Sequence, residues 1–523
     1  MTAARSINAA CFAVAAATLF AFSFASLVWQ LAFSTKRRWM SNAHSALVIP
    51  SVCSLALDVC ATLFFAGAGL AARVSGADVR GETYCLVFIV GRWSKAKACV
   101  GEIAGIGAHG EGKRAPRSVQ ASRQLHLHLH PIVLVPGYAS NELDARLTQL
   151  YRPSSLRCGE RKGQGWFRLF LNQSALRDPA GVRCFGEQMS TVYDAASDDY
   201  YNVPGVETRV PFFGSTKAFR YPDPDDKNFS YMEKLVERLE KMGYRDGETM
   251  FGAPYDFRYA VAPVGRPSRV GSAFFRALKS LVERASQLNG GRPVIIFTHS
   301  YGGTLAQQFL VRRPLPWRRR FVRRFVPVAA PWGGLVLGMQ VLLSGNNLAL
   351  PFVDPLALRQ EYRSLQSSLW PLPSPAVFGT AQPLVTTKSR NYSAGDVADF
   401  LGAIGLGEAV EPYESRVLPL FGELPAPLRV PVSCVVGVGV GTPERMVYPG
   451  DDFDVTPGVV VGDGDGLVNL ASLVAVETAW RRAGHFRMVK VPNVSHTGIL
   501  LEDRALDIVI LEIKLANLIS PKI

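Results

Sequence analysis

The sequence predicts an α/β fold built around a mostly parallel sheet. Beyond residue 130, short apolar runs rich in β-branched residues alternate with segments whose apolar residues recur at helical spacing. This alternation is typical of parallel strands joined by right-handed helical crossovers. A serine, Ser300, also stands at the junction of one such strand with a helix. With 523 residues, the chain has room for one large core with insertions, or for two domains.

The first strand is predicted in HPIVLVPGYASNELDARL, residues 130–147, followed by a turn at Gly137 and the start of a helix. Further strands are predicted near Val210 and over residues 249–253, 294–297, 324–329, 432–436 and 486–491. Helices are predicted over residues 231–242 and 273–288. No internal repeat is evident, so we expect a single sheet-based body over residues 130–523.

Residues 1–75 form an apolar leader. Residues 6–35 carry no charge and are closed by Lys36-Arg37-Arg38, and a second apolar stretch over residues 46–72 is interrupted only by Asp58. Either stretch fits a signal sequence, Met40 fits an alternative start, and together they fit a two-span hairpin. All three alternatives deliver the body to the secretory pathway, as a secreted, lysosomal or vacuolar, or membrane-anchored luminal protein. Residues 76–129, rich in Gly, Ala and basic residues near their end, are predicted to be a linker.

The net charge is basic mainly because of the N-terminal region. The formal charge is +14, but residues 1–129 hold 13 Lys and Arg against 5 Asp and Glu. Hydrophobic residues at 48% and charged residues at 19% fit a globular body and exclude a disordered one. The one basic and aromatic run, RRPLPWRRRFVRRF at residues 312–325, is better explained by a helix C-terminus or an anionic lipid surface. We therefore expect no nucleic-acid partner.

Sequons and cysteines agree with export. Asn-X-Ser sequons, the acceptors for N-glycosylation, occur at Asn172, Asn228, Asn391 and Asn493. Outside the leader and linker, only Cys158, Cys184 and Cys434 remain. The first two are close enough in the chain to bridge a loop, and Cys434 is best explained as a buried apolar residue.

Ser300 has the surroundings of a nucleophile. It lies in VIIFTHSYGGTLAQQFLV, where an apolar strand gives way to a helix within a few residues. Such a turn exposes the serine hydroxyl in a strained conformation and needs small neighbours, here Gly302 and Gly303. Thr298 stands where glycine usually opens the pentapeptide. By itself the motif leaves open an ordinary strand-turn-helix with a solvated serine.

An acid and a base follow Ser300 in the order that this arrangement requires. In α/β enzymes of this kind the acid and the histidine come later in the chain, on loops at strand ends. GDGDGLVNLASL offers Asp463 and Asp465, and VPNVSHTGILL offers His496. We choose Asp465 to orient His496, which would take the serine proton. A calcium-type loop at the aspartates and a role for His485 are the alternatives.

The other expectations concern oxyanion donors and metals. The backbone N–H of Tyr301 and that of Ala139, with Tyr138 as the alternative, are expected to stabilise an oxyanion. The histidines at 126, 128 and 130 alternate as on one strand face, and a His-rich strand end explains them better than a metal site. We expect no metal and no cofactor.

Several ordered blocks of the body resemble the lecithin:cholesterol acyltransferase family. They include PIVLVPGYASNELDARL, PGVETRVPFFG, GAPYDFRYA, THSYGG, APWGG with SGNN, CVVGVGVGTPERMVY, DGDGLV and VSHTGILL, spread over residues 130–511. The resemblance implies an α/β-hydrolase fold with a cap and lid insertion and a small membrane-binding subdomain. It also implies that Ser300, Asp465 and His496 form the triad, with Ala139 and Tyr301 at the oxyanion positions.

The resemblance extends to a lipid-binding region. Cys158 and Cys184 match the disulfide that closes the family's membrane-binding loop, here residues 150–190. That loop encloses Trp166, Phe167 and Phe170, which are predicted to anchor in lipid unless they form a small core of their own. Residues 346–371, with Arg363 as a possible lid contact, resemble the family's lid. No cysteine is placed to pair with Cys434, which is nearer the lysosomal phospholipase pattern.

The function implied is that of a lipid acyltransferase or phospholipase A at a membrane or lipoprotein surface. Ser300 would accept an acyl chain from a glycerophospholipid donor and pass it to an alcohol acceptor or to water. Sterol, diacylglycerol, ceramide and water remain open as acceptors. A non-catalytic lipid-binding protein and a general esterase of the same fold are the alternatives.

Overall fold

A computed structural model describes residues 129–227, 229–348 and 350–518 of the chain. The predicted leader, nearly all of the linker and Asn228 lie outside these ranges. No helix within them is long and apolar enough to cross a membrane.

The described residues form fifteen β-strands: β1 Ile132–Val135, β2 Leu143–Leu147, β3 Phe167–Phe170, β4 Thr191–Asp194, β5 Asp199–Asn202, β6 Val206–Arg209, β7 Met250–Gly252, β8 Val294–His299, β9 Val322–Val328, β10 Val385–Thr386, β11 Asn391–Tyr392, β12 Val432–Val438, β13 Val440–Val447, β14 Gly458–Gly464 and β15 Phe486–Pro492.

The same residues form nineteen α-helices: α1 Leu156–Gly159, α2 Gln173–Leu176, α3 Pro179–Met189, α4 Lys217–Arg220, α5 Glu233–Lys241, α6 Arg269–Leu288, α7 Tyr301–Val311, α8 Leu315–Phe321, α9 Val336–Ser344, α10 Arg359–Ser364, α11 Gln366–Leu369, α12 Pro375–Phe378, α13 Val397–Ala403, α14 Val410–Pro412, α15 Leu418–Phe421, α16 Leu470–Leu473, α17 Glu477–Arg482, α18 Gly498–Leu501 and α19 Asp503–Asn517. Short 3-10 helices cover Pro355–Leu358, Ala394–Asp396 and Gly407–Ala409, and a π-helical turn covers Tyr413–Val417.

Six strands form the central sheet in the order β15-β12-β9-β8-β1-β7, and every neighbouring pair is parallel. Successive side chains of a strand point to opposite faces, so Val133 packs into one core and Ile132 and Leu134 into another. Helices α6 and α7 cover the first face, and α5 and α19 cover the second. The predicted α/β fold is confirmed, because strands buried on both faces are the continuous apolar runs seen in the sequence.

Most of the predicted elements match the observed ones to within a few residues. The central strands β7, β8, β9, β12 and β15 overlap the five predicted ranges, and α5 and α6 overlap the two predicted helices. Helix α6 begins at Arg269, four residues before its predicted start. The strand expected near Val210 is β6, which lies outside the central sheet in a smaller one of order β3-β2-β6.

The helix start predicted after Gly137 is wrong, because this segment forms strand β2. Leu143, Ala145 and Leu147 are fully buried, while the intervening Asp144 and Arg146 are not. Burial of every second residue is the strand period, and β2 pairs antiparallel with both β3 and β6. Pairing with distant strands overrides the helical propensity of Ala and Arg.

The disulfide between Cys158 and Cys184 joins helices α1 and α3. Cys434 is free and buried on β12, and burial raises the pKa of its thiol, as expected for an inert core residue. The described residues therefore contain one disulfide, and it lies at the predicted loop.

Candidate active site

Ser300 occupies the turn between β8 and α7. Its φ of 56° lies in a region that non-glycine residues rarely adopt. Its backbone N–H donates to the carbonyl of Val328 at 2.8 Å. A Cβ on Gly302 would lie 2.2 Å from the carbonyl oxygen of Pro136, and one on Gly303 would lie 2.6 Å from Cβ of Ala330. The two glycines are therefore required for the close approach of α7 to the neighbouring strands.

The structure brings Ser300, His496 and Asp465 into one hydrogen-bonded line. Nε2 of His496 lies 2.8 Å from Oγ of Ser300, and Nδ1 lies 2.7 Å from Oδ2 of Asp465. Asp465 is fully buried, and the other two are less than a tenth exposed. Because a carboxylate only accepts, the imidazole donates from Nδ1 and its Nε2 is free to accept the serine proton.

Asp465 is held as a carboxylate by its surroundings. Its Oδ1 accepts from the backbone N–H of Leu467 at 3.1 Å and of Val468 at 2.7 Å. Burial acts to raise its pKa, but the His496 ring and these hydrogen bonds outweigh burial and lower the pKa below its ordinary value. The residue follows β14, whose glycine-rich end allows the chain to turn beside His496.

The residues that the sequence offers as an alternative acid, base or metal ligand lie outside this hydrogen-bonded line. Asp463 is exposed and its Oδ1 accepts from the backbone N–H of Gly439 at 2.7 Å. His485 is exposed and immediately precedes β15, whereas His496 follows it. His130 uses Nδ1 toward the carbonyl of Pro293 at 2.8 Å, and His126 and His128 lie outside the described residues. Within those residues no group of His, Cys, Asp and Glu could hold a metal ion.

The two expected oxyanion donors approach the same turn. Tyr301 is the first residue of α7, where a backbone N–H has no partner within the helix. The loop after β1 passes beside the serine, since a Cβ on Gly137 would lie 3.2 Å from Cβ of Ser300. Ala139, in this loop, has a φ of 48°. Both positions remain predictions for the oxyanion donors.

Aromatic side chains pack around Tyr138 and Tyr301, beside these two positions. The ring centroid of Tyr138 lies 6.1 Å from that of Tyr301 and 6.4 Å from that of Tyr362, and Tyr301 lies 5.3 Å from Trp370. Burial raises the pKa of nearby Glu361 to about 8, although Arg258 acts to lower it, so this carboxyl is mostly neutral at pH 7. The side chains packed around Tyr301 are thus aromatic and largely uncharged. The motif at Ser300 gave no signal for them, because Tyr362 and Trp370 come from a later segment.

The predicted lid divides into two parts. Phe352 and Leu356 are 40% and 48% exposed. Leu358, Leu365 and Leu369, by contrast, are at most 1% exposed, so the apolar side chains of residues 358–371 pack into the core. Arg363 donates from Nε to the carbonyl of Leu342 at 2.8 Å, which ties α10 to α9. Among the described residues of the predicted lid, the large apolar side chains that are exposed, as a lid needs, are those of Phe352 and Leu356.

The aromatic anchor predicted in the disulfide loop is wrong for Phe170. This ring is 2% exposed and its centroid lies 4.7 Å from that of Phe257, so it belongs to the core. Trp166 is half-buried between the guanidinium groups of Arg146 and Arg209, at 5.0 and 4.6 Å, and Phe167 has Arg161 over its ring at 4.9 Å. The exposed apolar residues of this region are Leu150 and Leu156, at 72% and 95%. No periodic signal in the sequence marks them.

The sequons differ in exposure. Asn391 and Asn493 are exposed, whereas Asn172 is half-buried. Its side-chain oxygen caps α2 by accepting from the backbone N–H of Ala175 at 3.1 Å. Glycosylation at these positions stays a prediction, and Asn228 is outside the described residues.

A serine on a strand-to-helix turn, hydrogen-bonded to a histidine and a buried aspartate at the carboxyl edge of a parallel sheet, defines the α/β-hydrolase class. Comparison with known proteins then gives the family. The family model described as lecithin:cholesterol acyltransferase matches residues 166–417. A lecithin-cholesterol acyltransferase-like 1 protein of Oryza sativa subsp. japonica is 51% identical over 390 residues, covering 74% of this chain and 87% of the relative.

Two further relatives agree. The lecithin-cholesterol acyltransferase-like 1 protein of Arabidopsis thaliana is 45% identical over 399 residues, covering 75% of this chain and 91% of its own. The lysosomal phospholipase A and acyltransferase of Homo sapiens is 34% identical over 379 residues, covering 71% and 87%. The chain belongs to the lecithin:cholesterol acyltransferase family.

Proposed function

We propose that this protein is a lipid O-acyltransferase and phospholipase A that acts on glycerophospholipids through an acyl-enzyme on Ser300. The hydrogen-bonded line of Ser300, His496 and Asp465 carries the proposal, because a binding protein has no need of it. Relatives named for phospholipase A and acyltransferase activity support the class of substrate. The aromatic side chains packed around Tyr301 give the site the apolar surroundings that suit an acyl chain.

The first half-reaction transfers the acyl group to the enzyme. His496 Nε2 removes the proton from Oγ of Ser300 as this oxygen attacks the ester carbonyl of the lipid. The negative charge moves to the former carbonyl oxygen, where the N–H groups of Tyr301 and Ala139 donate to it. The carbonyl re-forms as the ester C–O bond breaks, and His496 returns its proton to the leaving lysophospholipid oxygen.

The second half-reaction repeats these steps with a new hydroxyl. An alcohol or a water molecule loses its proton to His496 and attacks the acyl-serine carbonyl, and Ser300 leaves with that proton. An alcohol gives an acylated acceptor, whereas water gives a free fatty acid. Transfer wins only where water is kept from the acyl-enzyme, and Ser300 and His496 are less than a tenth exposed.

Product analysis tests the proposal and identifies the acceptor. The full chain is incubated with phosphatidylcholine vesicles that carry cholesterol, diacylglycerol or ceramide, and the products are identified by mass spectrometry. We expect lysophospholipid in every case, with free fatty acid alone for a phospholipase and a matching acylated lipid for a transferase. Turnover of soluble esters without any lysophospholipid would contradict the proposal in favour of a general esterase.

We propose further that the protein contacts the membrane through the side chains of Leu150 and Leu156. Leu156 lies on α1, two residues before the disulfide-bonded Cys158, so its exposed side chain is held on a covalently braced element. Exposed arginines at 152, 157 and 161 surround it in the chain and favour anionic lipid. Moving one leucine side chain from water into lipid yields about 1.5 to 3 kcal/mol.

The double substitution of Leu150 and Leu156 by serine is expected to weaken binding to anionic vesicles by about tenfold or more. Turnover of a soluble ester should stay near the wild-type rate, since neither residue contacts the Ser300 site in the fold. Leu288→Ser, which alters a leucine 61% exposed at the end of α6, is the matched control. Unchanged vesicle binding, or a loss seen instead on Trp166→Ser, would contradict the role of the two leucines.

The disulfide supports a location in the secretory pathway. Structural disulfides persist in oxidising compartments and are rare in the cytosol, and Cys158–Cys184 joins helix α1, which carries Leu156, to helix α3. Exposed sequons at Asn391 and Asn493 agree with this location. Secretion, delivery to an acidic compartment and anchoring by the leader all remain compatible with it.

A further inference from the structure

A second hydrogen-bonded line runs beneath Ser300 and involves two residues that the acyl transfer steps do not use. The backbone N–H of Gly137 donates to Oη of Tyr231 at 2.9 Å. Oη of Tyr231 lies 2.7 Å from Nδ1 of His299, and Nε2 of His299 lies 3.0 Å from the backbone oxygen of His496. Both side chains are buried, at 7% and 2% exposure. The line joins four segments distant in sequence, at Gly137, Tyr231, His299 and His496.

The backbone groups at the two ends of the line determine which atom donates in each of its hydrogen bonds. A backbone N–H only donates and a backbone carbonyl only accepts. His299 must therefore donate from Nε2 to His496, and its Nδ1 must accept from the Tyr231 hydroxyl. That hydroxyl accepts from Gly137 in turn. The line is fully satisfied only with His299 neutral, and burial together with the nearby His496 ring lowers the pKa of His299 to about 3.

The ends of the line are the two segments that must be aligned with Ser300. Gly137 lies two residues before Ala139, and its backbone packs against Ser300, His299 and Tyr231. His496 supplies the proposed base. A shift of about 1 Å in such a group is enough to lower the rate by about 100-fold.

We propose that Tyr231 and His299 are positioning residues that hold the main chain of His496 and the loop at Gly137 in register with Ser300. This inference rests on the proposed acyl transfer for its consequence, but its geometry is independent of the identity of the lipid. Neither side chain touches the reacting atoms. Their effect passes through the backbone of the base and of the oxyanion loop.

The neutral form of His299 also matters for charge. Its ring centroid lies 4.9 Å from that of His496, which becomes a cation each time it takes the serine proton. Among the described residues, the titratable groups that face His299 are Tyr231, His496 and, at longer range, Asp465. A positive charge on His299 would oppose protonation of His496. The Tyr231 hydroxyl, by donating to Nδ1, keeps that position from holding a proton.

The test measures the reactivity of Ser300 as the second-order rate constant of its covalent modification by a fluorophosphonate probe. In parallel, kcat and KM are measured on phosphatidylcholine vesicles. Tyr231→Phe removes the hydroxyl and keeps the ring. We expect it to lower the modification rate and kcat by about 10- to 100-fold, with KM changed much less. We also expect the acid limb of the pH profile of kcat/KM to move, which a purely structural role would leave in place.

Tyr244→Phe is the matched control. Tyr244 is 2% exposed, and its hydroxyl donates to the carbonyl of His130 and accepts from Asn517. Tyr244→Phe therefore also loses one donated and one accepted hydrogen bond, but far from Ser300. It should lower the melting temperature to a similar degree and leave the modification rate unchanged.

A second pair of variants tests the inference even if Tyr231→Phe does not fold. His299→Gln keeps an N–H that can reach the carbonyl of His496, whereas His299→Leu does not, so the Gln variant should retain more of the modification rate. A wild-type modification rate in Tyr231→Phe, or equal losses in the two His299 variants, would overturn the inference. If wild-type Ser300 reacts with the probe but releases no lysophospholipid, the proposed lipid activity fails while the positioning role is still decided by the variants.

Discussion

Replacing Ser300 with alanine is expected to reduce lysophospholipid release by about ten-thousand-fold or more. In the proposed reaction the hydroxyl oxygen bonds to the acyl carbon, and no other described serine or cysteine lies within hydrogen-bonding distance of His496 Nε2. The fold should survive, because the variant loses a single hydrogen bond, which contributes about 1 kcal/mol. The melting temperature should therefore fall by no more than a few degrees.

Ser433→Ala provides the comparison for this variant. Ser433 is fully buried on β12 and its Oγ accepts from Arg324 at 2.9 Å, away from the triad. It should lose similar stability and keep its activity. Retention of more than a few per cent of activity by Ser300→Ala, on protein free of wild-type enzyme, would place the nucleophile elsewhere.

The second large effect is expected for Asp465→Asn, at about ten-thousand-fold in kcat. The oxygen of the new amide will stay with the N–H groups of Leu467 and Val468, which need an acceptor. Its NH2 group will then face Nδ1 of His496. That nitrogen must accept instead of donate, so the imidazole proton moves to Nε2, where it blocks removal of the Ser300 proton.

Asp463→Asn is the control for this change, two residues away on the same loop. Asp463 is exposed and accepts from the backbone of Gly439, a bond that asparagine oxygen also makes. Its kcat should stay within about a factor of two of the wild type, as for surface substitutions away from a site. If both variants lose activity equally, the loop conformation rather than the Asp465 carboxylate is responsible.

The central sheet and the triad could be predicted because each depends on a local pattern. Buried parallel strands such as β8 and β12 are apolar throughout, so they stand out without knowledge of their neighbours. Ser300 is marked by the adjacent glycines, and Asp465 and His496 by their places just after strands. Because parallel strands end at one edge of a sheet, residues that follow them converge.

Other features could not be predicted, since they depend on which distant segments meet. The sequence predicts the start of a helix where strand β2 forms, because the pairing of β2 with β3 and β6 cannot be inferred from LDARL alone. The sequence predicts that Phe170 anchors in lipid, but in the fold Phe257 packs against it. Nothing in the sequence distinguishes Leu156 from other leucines, although its side chain is exposed. The sequence also gives no sign that His299 contacts the backbone of His496, because the two residues are far apart in the chain.

The sequence by itself therefore determined the class of fold, the family and the set of residues predicted to do the chemistry, because motifs and strand periods are local. Only the tertiary structure decided which aspartate orients His496, which apolar side chains face solvent, and how Tyr231 and His299 link Gly137 to His496. Those outcomes are set by contacts between residues that lie up to about 200 positions apart, as for His299 and His496. Burial and hydrogen bonding at such separations are properties of the packed chain.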